Sequence, residues 1–209
     1  MTVARRSRLG MLRAADTVRH ALVLAVGSLA FERLARRAAA GAVSGCEEQV
    51  FRSINNFSPS LRRPVWLIMQ AGSLPAVGVA AAVARCRSRA VAATLAISGT
   101  AAWGLCKLAK RVVGRGRPGD HLDRVVVHGA AQQGGGFPSG HAAVATTLAA
   151  VCTRIAPPPA VPFVWGASLA VCGARIYVGA HLPLDVAGGA ALGLSVGSVA
   201  NVALSLTVR

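Results

Sequence analysis

Uncharged apolar runs alternate with short basic connections along this chain. Pro64 to Ala84, Ala90 to Cys106, Ile155 to Ala174 and Val186 to Val208 carry no charged residue, and each approaches the ~20 residues that cross a hydrocarbon core as a helix. A shorter run, Ala142 to Thr153, extends back through Pro138-Ser139-Gly140-His141 and predicts a fifth helix. Thr17 to Ala40 is a weaker sixth, because its apolar part, Ala21 to Phe31, stops at Glu32, Arg33, Arg36 and Arg37. That leaves open whether it tilts across the bilayer or lies partly in the interface. The expected fold class is all-α: a polytopic membrane bundle of about six transmembrane helices, the first one weak. Residues 1–20 read as a basic arm and 21–209 as the membrane-embedded domain. Arg5, Arg6, Arg8, Arg13 and Arg19 precede an apolar core as in a signal peptide, but no small-residue cleavage pattern follows, which favours an uncleaved first helix.

Hydrophobic residues make up 54% of the 209 and charged ones only 14%, a membrane protein's profile. The net charge of +16 would suggest nucleic acid in a soluble chain. Here the basic residues lie in the arm and between apolar runs, with no aromatic-interleaved basic face, so they read as snorkelling side chains facing anionic headgroups. Membrane lipids are expected partners, and nucleic acid is not. Cys46, Cys86, Cys106, Cys152 and Cys172 lack metal-type spacing, and three of them fall inside apolar runs, where cysteine is a small hydrophobe. Pro157-Pro158-Pro159 with Pro162 ends one helix and turns into the next. The long polar connection from Lys107 to Phe137 is rich in glycine, and a stretch of that kind in a compact bundle is usually functional or disordered.

Counting crossings puts Lys110, His141, His181 and Asp185 at one face of the membrane, since each sits where an apolar run begins or ends. Gly114 and Gly116 make a helix unlikely beyond Arg111, so Arg117-Pro118 is expected on a loop. Ser139 suits an N-cap and, with Gly140, would point backbone N–H groups at an anion. Pro183 suits a first helical position, which puts Asp185 in a first turn from which it can reach back to His181. Lys110, Arg117 and Arg175 with Ser139 and Gly140 then make a cradle for a tetrahedral dianion. A histidine with an aspartate partner is a nucleophile held in one tautomer, and the other histidine is free to give a proton to a leaving oxygen.

Lys110-(six residues)-Arg117-Pro118, Pro138-Ser139-Gly140-His141 and Arg175-(five residues)-His181-(three residues)-Asp185 together resemble the three-part signature of the type 2 phosphatidic acid phosphatase superfamily, in its integral-membrane branch. The resemblance implies a six-helix bundle with the site on the extracytoplasmic side. It implies that His181 attacks phosphorus to form a phosphohistidine, that Asp185 orients it, and that His141 protonates the leaving group and later activates water. Lys110, Arg117, Ser139, Gly140 and Arg175 would hold the phosphate oxygens, with no metal and no cofactor. One position departs from the pattern: Ala174 stands where the family usually has serine. Lys107 is near the first motif but wrongly spaced, and reads as an interfacial lysine.

Singly, each of these residues has a structural explanation: an interfacial anchor, a helix cap, a first-turn acid, a satisfied histidine. Their joint spacing overrides it. His20, His121 and His128 keep the structural reading, as do Trp66, Trp103 and Trp165, while Asp120 and Asp123 read as solvating the loop. One rival makes His141 and His181 axial ligands of a haem in an electron carrier, which leaves the three cations without a role. A second rival is a non-catalytic lipid-binding or transport relative. A head at the membrane rim with its tail in lipid makes the substrate a lipid phosphate or diphosphate, and the family resemblance puts a polyprenyl diphosphate or phosphate first and phosphatidic acid or phosphatidylglycerophosphate next. Arg85, Arg87 and Arg89, opposite the site, point with the arm to the cytoplasm of a prokaryotic plasma membrane, although Arg33, Arg36, Arg37, Arg62 and Arg63 weigh the other way.

Overall fold

Small residues and well-placed caps shape the helices of the computed structural model, which describes residues 3–207; the side chains of Arg5, Arg6, Arg8 and Arg13, and the end of the last apolar run at Val208, lie outside the described residues. Helix α1, Val3–Ala39, takes in part of the basic arm and the weak first segment. It packs chiefly along the last helix, α9 (Pro183–Thr207). A short helix absent from the sequence reading, α2 (Gly45–Asn55), follows, and Ser44 caps it by accepting from the Glu47 N–H at 3.2 Å.

The segment expected to span from Pro64 to Ala84 is broken. α3 (Arg62–Gln70) and α4 (Leu74–Arg85) meet at 55°. The cause is local: Ser73 accepts from the Ala76 N–H and Pro75 follows in the first turn, so a new helix starts there. Gly72 fills the break. A Cβ on it would come within 2.5 Å of the His141 carbonyl oxygen, so the bend brings this backbone against the start of α7.

Helix α5 (Arg89–Val113) ends at Gly114, whose φ of 65° is the left-handed C-terminal stop that glycine provides. The helix thus runs two residues past Arg111, where the glycines were expected to end it. After the one-turn α6 (Pro118–His121) and the glycine-rich loop come α7 (Gly140–Cys152) and α8 (Val161–Tyr177). Among the described residues, three helical stretches are long and apolar enough to cross a membrane, and a fourth is if the bent pair counts as one span. The other two of the expected six, α7 and α1, are helices of the same bundle that fall short of that measure. α7 is apolar but has only 13 residues, and α1 carries Glu32, Arg33, Arg36 and Arg37 where its apolar run should continue.

The bundle's centre is the α7–α9 contact. Cβ atoms on Gly189 and Gly193 would come within 2.3 Å of the Ser139 oxygen and 2.5 Å of the Ala143 oxygen, and one on Gly188 within 2.2 Å of the Phe137 ring. Small residues let two backbones touch in this way where lipid supplies no hydrophobic drive. Polar side chains add links: Thr147 Oγ1 donates to Gly193 O at 3.2 Å and Asn201 Nδ2 to Ala150 O at 3.0 Å. At the end away from the candidate site, Arg154 pairs with Asp16 of α1 and donates to Ser205 Oγ of α9.

We expect Gly193→Ala to lower thermal stability in detergent by about 1–3 kcal/mol through overpacking. Gly166→Ala, at an α8 position with nothing within 4 Å, should be neutral or slightly stabilising. Differential scanning of both variants checks the pair.

Candidate active site

Four helix ends converge as the crossing count requires: the C-terminal ends of α5 and α8 and the N-terminal ends of α7 and α9. Lys110, in the last turn of α5, donates from Nζ to Gly135 O at 2.6 Å and Gly136 O at 3.0 Å. Arg117 precedes α6 and spreads its guanidinium over Gln133 O, Gly134 O and Ala180 O at 2.7–2.9 Å, which puts it beside His181. Its own N–H is accepted by Asp120 Oδ2 at 2.7 Å. Asp120, read from sequence as loop solvation, therefore caps the turn that presents Arg117.

Ser139 stands at the N-cap position of α7, but its side chain caps nothing. Its N–H donates to the Asp185 carbonyl at 2.9 Å, so that donor is not free for an anion as the sequence reading had it. The Oγ is instead fully buried with no hydrogen-bond partner. A buried hydroxyl without a partner is costly, and it suits contact with a substrate oxygen. Gly140 and His141 open α7 as expected. Arg175, buried in the last turn of α8, reaches Met69 Sδ through Nη1 and leaves Nε without a partner. Its charge and that of Lys110 act on both His141 and His181. Ala174, in place of the family's serine, is buried.

Pro183 begins α9 and Asp185 lies in its first turn, fully buried. Oδ2 of Asp185 accepts from the Leu182 N–H at 2.9 Å and stands 3.7 Å from His181 Nδ1. That is longer than a hydrogen bond, as catalytic contacts often are before substrate tightens them. The pairing leaves Nε2 of His181 facing away from the carboxylate. Burial, helped by the charges of Arg175 and Lys110 and opposed by Asp185, pulls the His181 pKa down to about 3, so its ring is neutral at ordinary pH.

Two buried residues missed in the sequence complete the arrangement. Arg115 donates from Nη1 to Asp185 Oδ1 at 2.9 Å and to Glu47 Oε1 at 3.1 Å, and from Nη2 to Glu47 Oε2 at 3.0 Å. Glu47 Oε1 also accepts from the Leu184 N–H at 3.0 Å. The signals were present: Ser44 and Glu47 have capping-box spacing, and Arg115 stands between two glycines. Among the described residues, no group of three or more His, Cys, Asp or Glu side chains is placed to hold a metal ion. A cavity of about 780 Å³, lined by Arg117, Arg175, Trp66, Met69 and the loop residues after α6, adjoins the cations.

No curated protein sequence matches the chain. Two solved structures resemble it. One is LpxE of Aquifex aeolicus, with a TM-score of 0.68, 25% identity and coverage of 73% of this chain and 92% of that one. The other is a transmembrane PAP2 type phosphatidylglycerolphosphate phosphatase from Bacillus subtilis, with a TM-score of 0.65, 18% identity and coverage of 88% and 98%, a likeness of fold. The family model of the PAP2 superfamily matches residues 88–206, a span that holds every motif residue named above except those of α2. The chain belongs to the PAP2 superfamily.

Proposed function

We propose that this integral membrane protein is a metal-independent lipid phosphate or diphosphate phosphatase working through a phosphohistidine. The observation that carries the reading is the meeting of Lys110, Arg117, Arg175 and the unpartnered Ser139 hydroxyl around the His181–Asp185 pair. Three cations balance the charge of a phosphoryl group without a metal.

In the first step the lone pair on His181 Nε2 forms a bond to phosphorus as the bond from phosphorus to the lipid oxygen, or to the terminal bridging oxygen of a diphosphate, breaks. His141, protonated once a bound phosphate dianion offsets the burial and the Arg175 and Lys110 charges that disfavour its cation, gives its proton to that oxygen. Asp185 stabilises the imidazolium that develops on His181. In the second step His141, now neutral, takes a proton from water, the hydroxide oxygen bonds to phosphorus, and the P–N bond breaks to return neutral His181 and inorganic phosphate. Lys110, Arg117, Arg175, Ser139 and Gly140 hold the equatorial oxygens throughout.

A tail in lipid and a head at the rim keep polyprenyl diphosphate or phosphate as first choice of substrate. Phosphatidic acid and phosphatidylglycerophosphate follow, the latter being the substrate in the Bacillus neighbour's name. The basic connection Arg85 to Arg89 supports a site opening on the extracytoplasmic face of a prokaryotic plasma membrane. We take residues 21–209 as one phosphatase domain.

Purified protein in detergent with a chelator should release phosphate from at least one of these lipids, and vanadate should block it. His181→Ala should abolish release, His141→Ala nearly so, and Asp185→Asn should cost about 10³- to 10⁴-fold by loss of tautomer control. Near-normal turnover by His181→Ala, loss of activity in chelator, or a Soret band in the purified protein would each overturn the reading. An acid-labile, base-stable phospho-enzyme should accumulate in His141→Ala.

His181 also ties stability to pH. Its folded pKa, about 3, lies below the ~6.5 of the unfolded chain, so the unfolded state binds the proton first. The stability this neutral ring allows is complete above pH ~6.5 and is lost as pH falls through that window toward 3. Thermal midpoints measured from pH 7 to 4 should fall less steeply in His181→Asn than in the wild type.

A further inference from the structure

Asp185 has a second set of partners that the phosphoryl chemistry leaves unused: Arg115, in the six-residue spacer of the first motif, and through it Glu47, outside all three. Its Oδ1 is held by Arg115, which in turn is clamped by both oxygens of Glu47. All three side chains are at least nine-tenths buried. Oε1 of Glu47, besides accepting from Arg115 Nη1, accepts from the N–H of Leu184, one residue before Asp185. The elements joined are α2, the turn after α5, and the first turn of α9.

We infer that Glu47 and Arg115 form a positioning unit for Asp185, resting on the reading of His181 as nucleophile given above. Two physical effects follow from the geometry. The guanidinium fork fixes the plane of the Asp185 carboxylate by taking Oδ1, so that Oδ2 is left for the Leu182 N–H and His181 Nδ1. Glu47 then balances the charge of Arg115. A lone buried arginine against Asp185 would neutralise the carboxylate and weaken its hold on a developing imidazolium. With Glu47 present, the three groups sum to one negative charge facing His181. Breaking such a buried set by removing one member leaves an uncompensated charge, so the variants must be chosen by shape.

Glu47→Gln keeps an acceptor for Arg115 and for the Leu184 N–H while removing the charge. Arg115→Met keeps most of the volume while freeing Asp185. With the best lipid phosphate substrate, each should lower kcat by about 10- to 100-fold, the range seen when the partner that orients a functional histidine is lost, with KM changed by less than about threefold. Arg115→Lys, which retains charge and one donor, should recover part of the loss. Because the unit acts through Asp185, adding either variant to Asp185→Asn should cost under about threefold more. A multiplicative loss on that background, a rise in KM without a fall in kcat, or kcat within threefold of wild type would overturn the inference.

A second measurement needs no turnover. Nitrogen NMR of His181 in the wild type should show the tautomer protonated on Nδ1, and Arg115→Met should shift the population toward the other tautomer. An unchanged tautomer in a folded variant overturns the inference whatever the activity, and where Arg115→Met does not fold, Glu47→Gln decides. If the wild type releases no phosphate from any lipid while the tautomer shifts as expected, the proposed function fails and the positioning unit stands.

Discussion

Backbone-to-backbone contact between α7 and α9 is the constraint on which the site depends. The first of these helices begins with Ser139, Gly140 and His141 and the second with Pro183 and Asp185, so the separation of the two helix starts sets how His141 lies relative to the His181–Asp185 pair. Gly189 and Gly193 leave no room for a side chain between the two main chains, and Gly188 leaves none beside the Phe137 ring. The Ser139 N–H then bonds directly to the Asp185 carbonyl. A larger residue anywhere along this seam would shift His141 relative to Asp185 without touching either, because close-packed interiors transmit displacement.

Around that seam the protein gathers more positive charge than its carboxylates balance. Arg115 is committed to Glu47 and Asp185. Lys110 and Arg117 lean on carbonyls of the 133–136 loop, and Arg175 on a methionine sulfur. Carbonyl dipoles and a thioether satisfy a cation's hydrogen bonds without cancelling its charge, so these three remain electrostatically available to an anion. The arrangement separates one arginine held by two carboxylates from three cations that no carboxylate among the described residues holds in an ion pair, although all four are basic residues gathered at one end of the bundle.

Much of this was legible in the chain. Alternation of apolar runs was enough to bring Lys110, His141, His181 and Asp185 to one end, because a crossing count is insensitive to how any one segment bends. Pro183 and Gly114 acted where their φ preferences said they would. What escaped notice was read at too coarse a scale. The absence of charge from Pro64 to Ala84 suggested one span, yet Ser73 and Pro75 carry a start signal inside it. Ser139 looked like a cap, but its hydroxyl stays free because the long connection enters α7 from the seam with α9. The pairing of Glu47 with Arg115 was hidden for a different reason: nothing local marks a pair separated by 68 positions, and a glutamate in a first turn is sufficiently explained by helix capping and the helix dipole.

The pairing of α1 with α9 joins the earliest helix to the latest. Chains are synthesised from the N-terminus, so α1 exists long before the surface it packs against. It carries Gly27, cut to fit Ser195, and Asp16, which pairs with Arg19 of the same helix and gains its second cation, Arg154, only with the connection before α8. Until α9 is made, the face of α1 that carries Gly27 lacks the surface it packs against in the finished bundle.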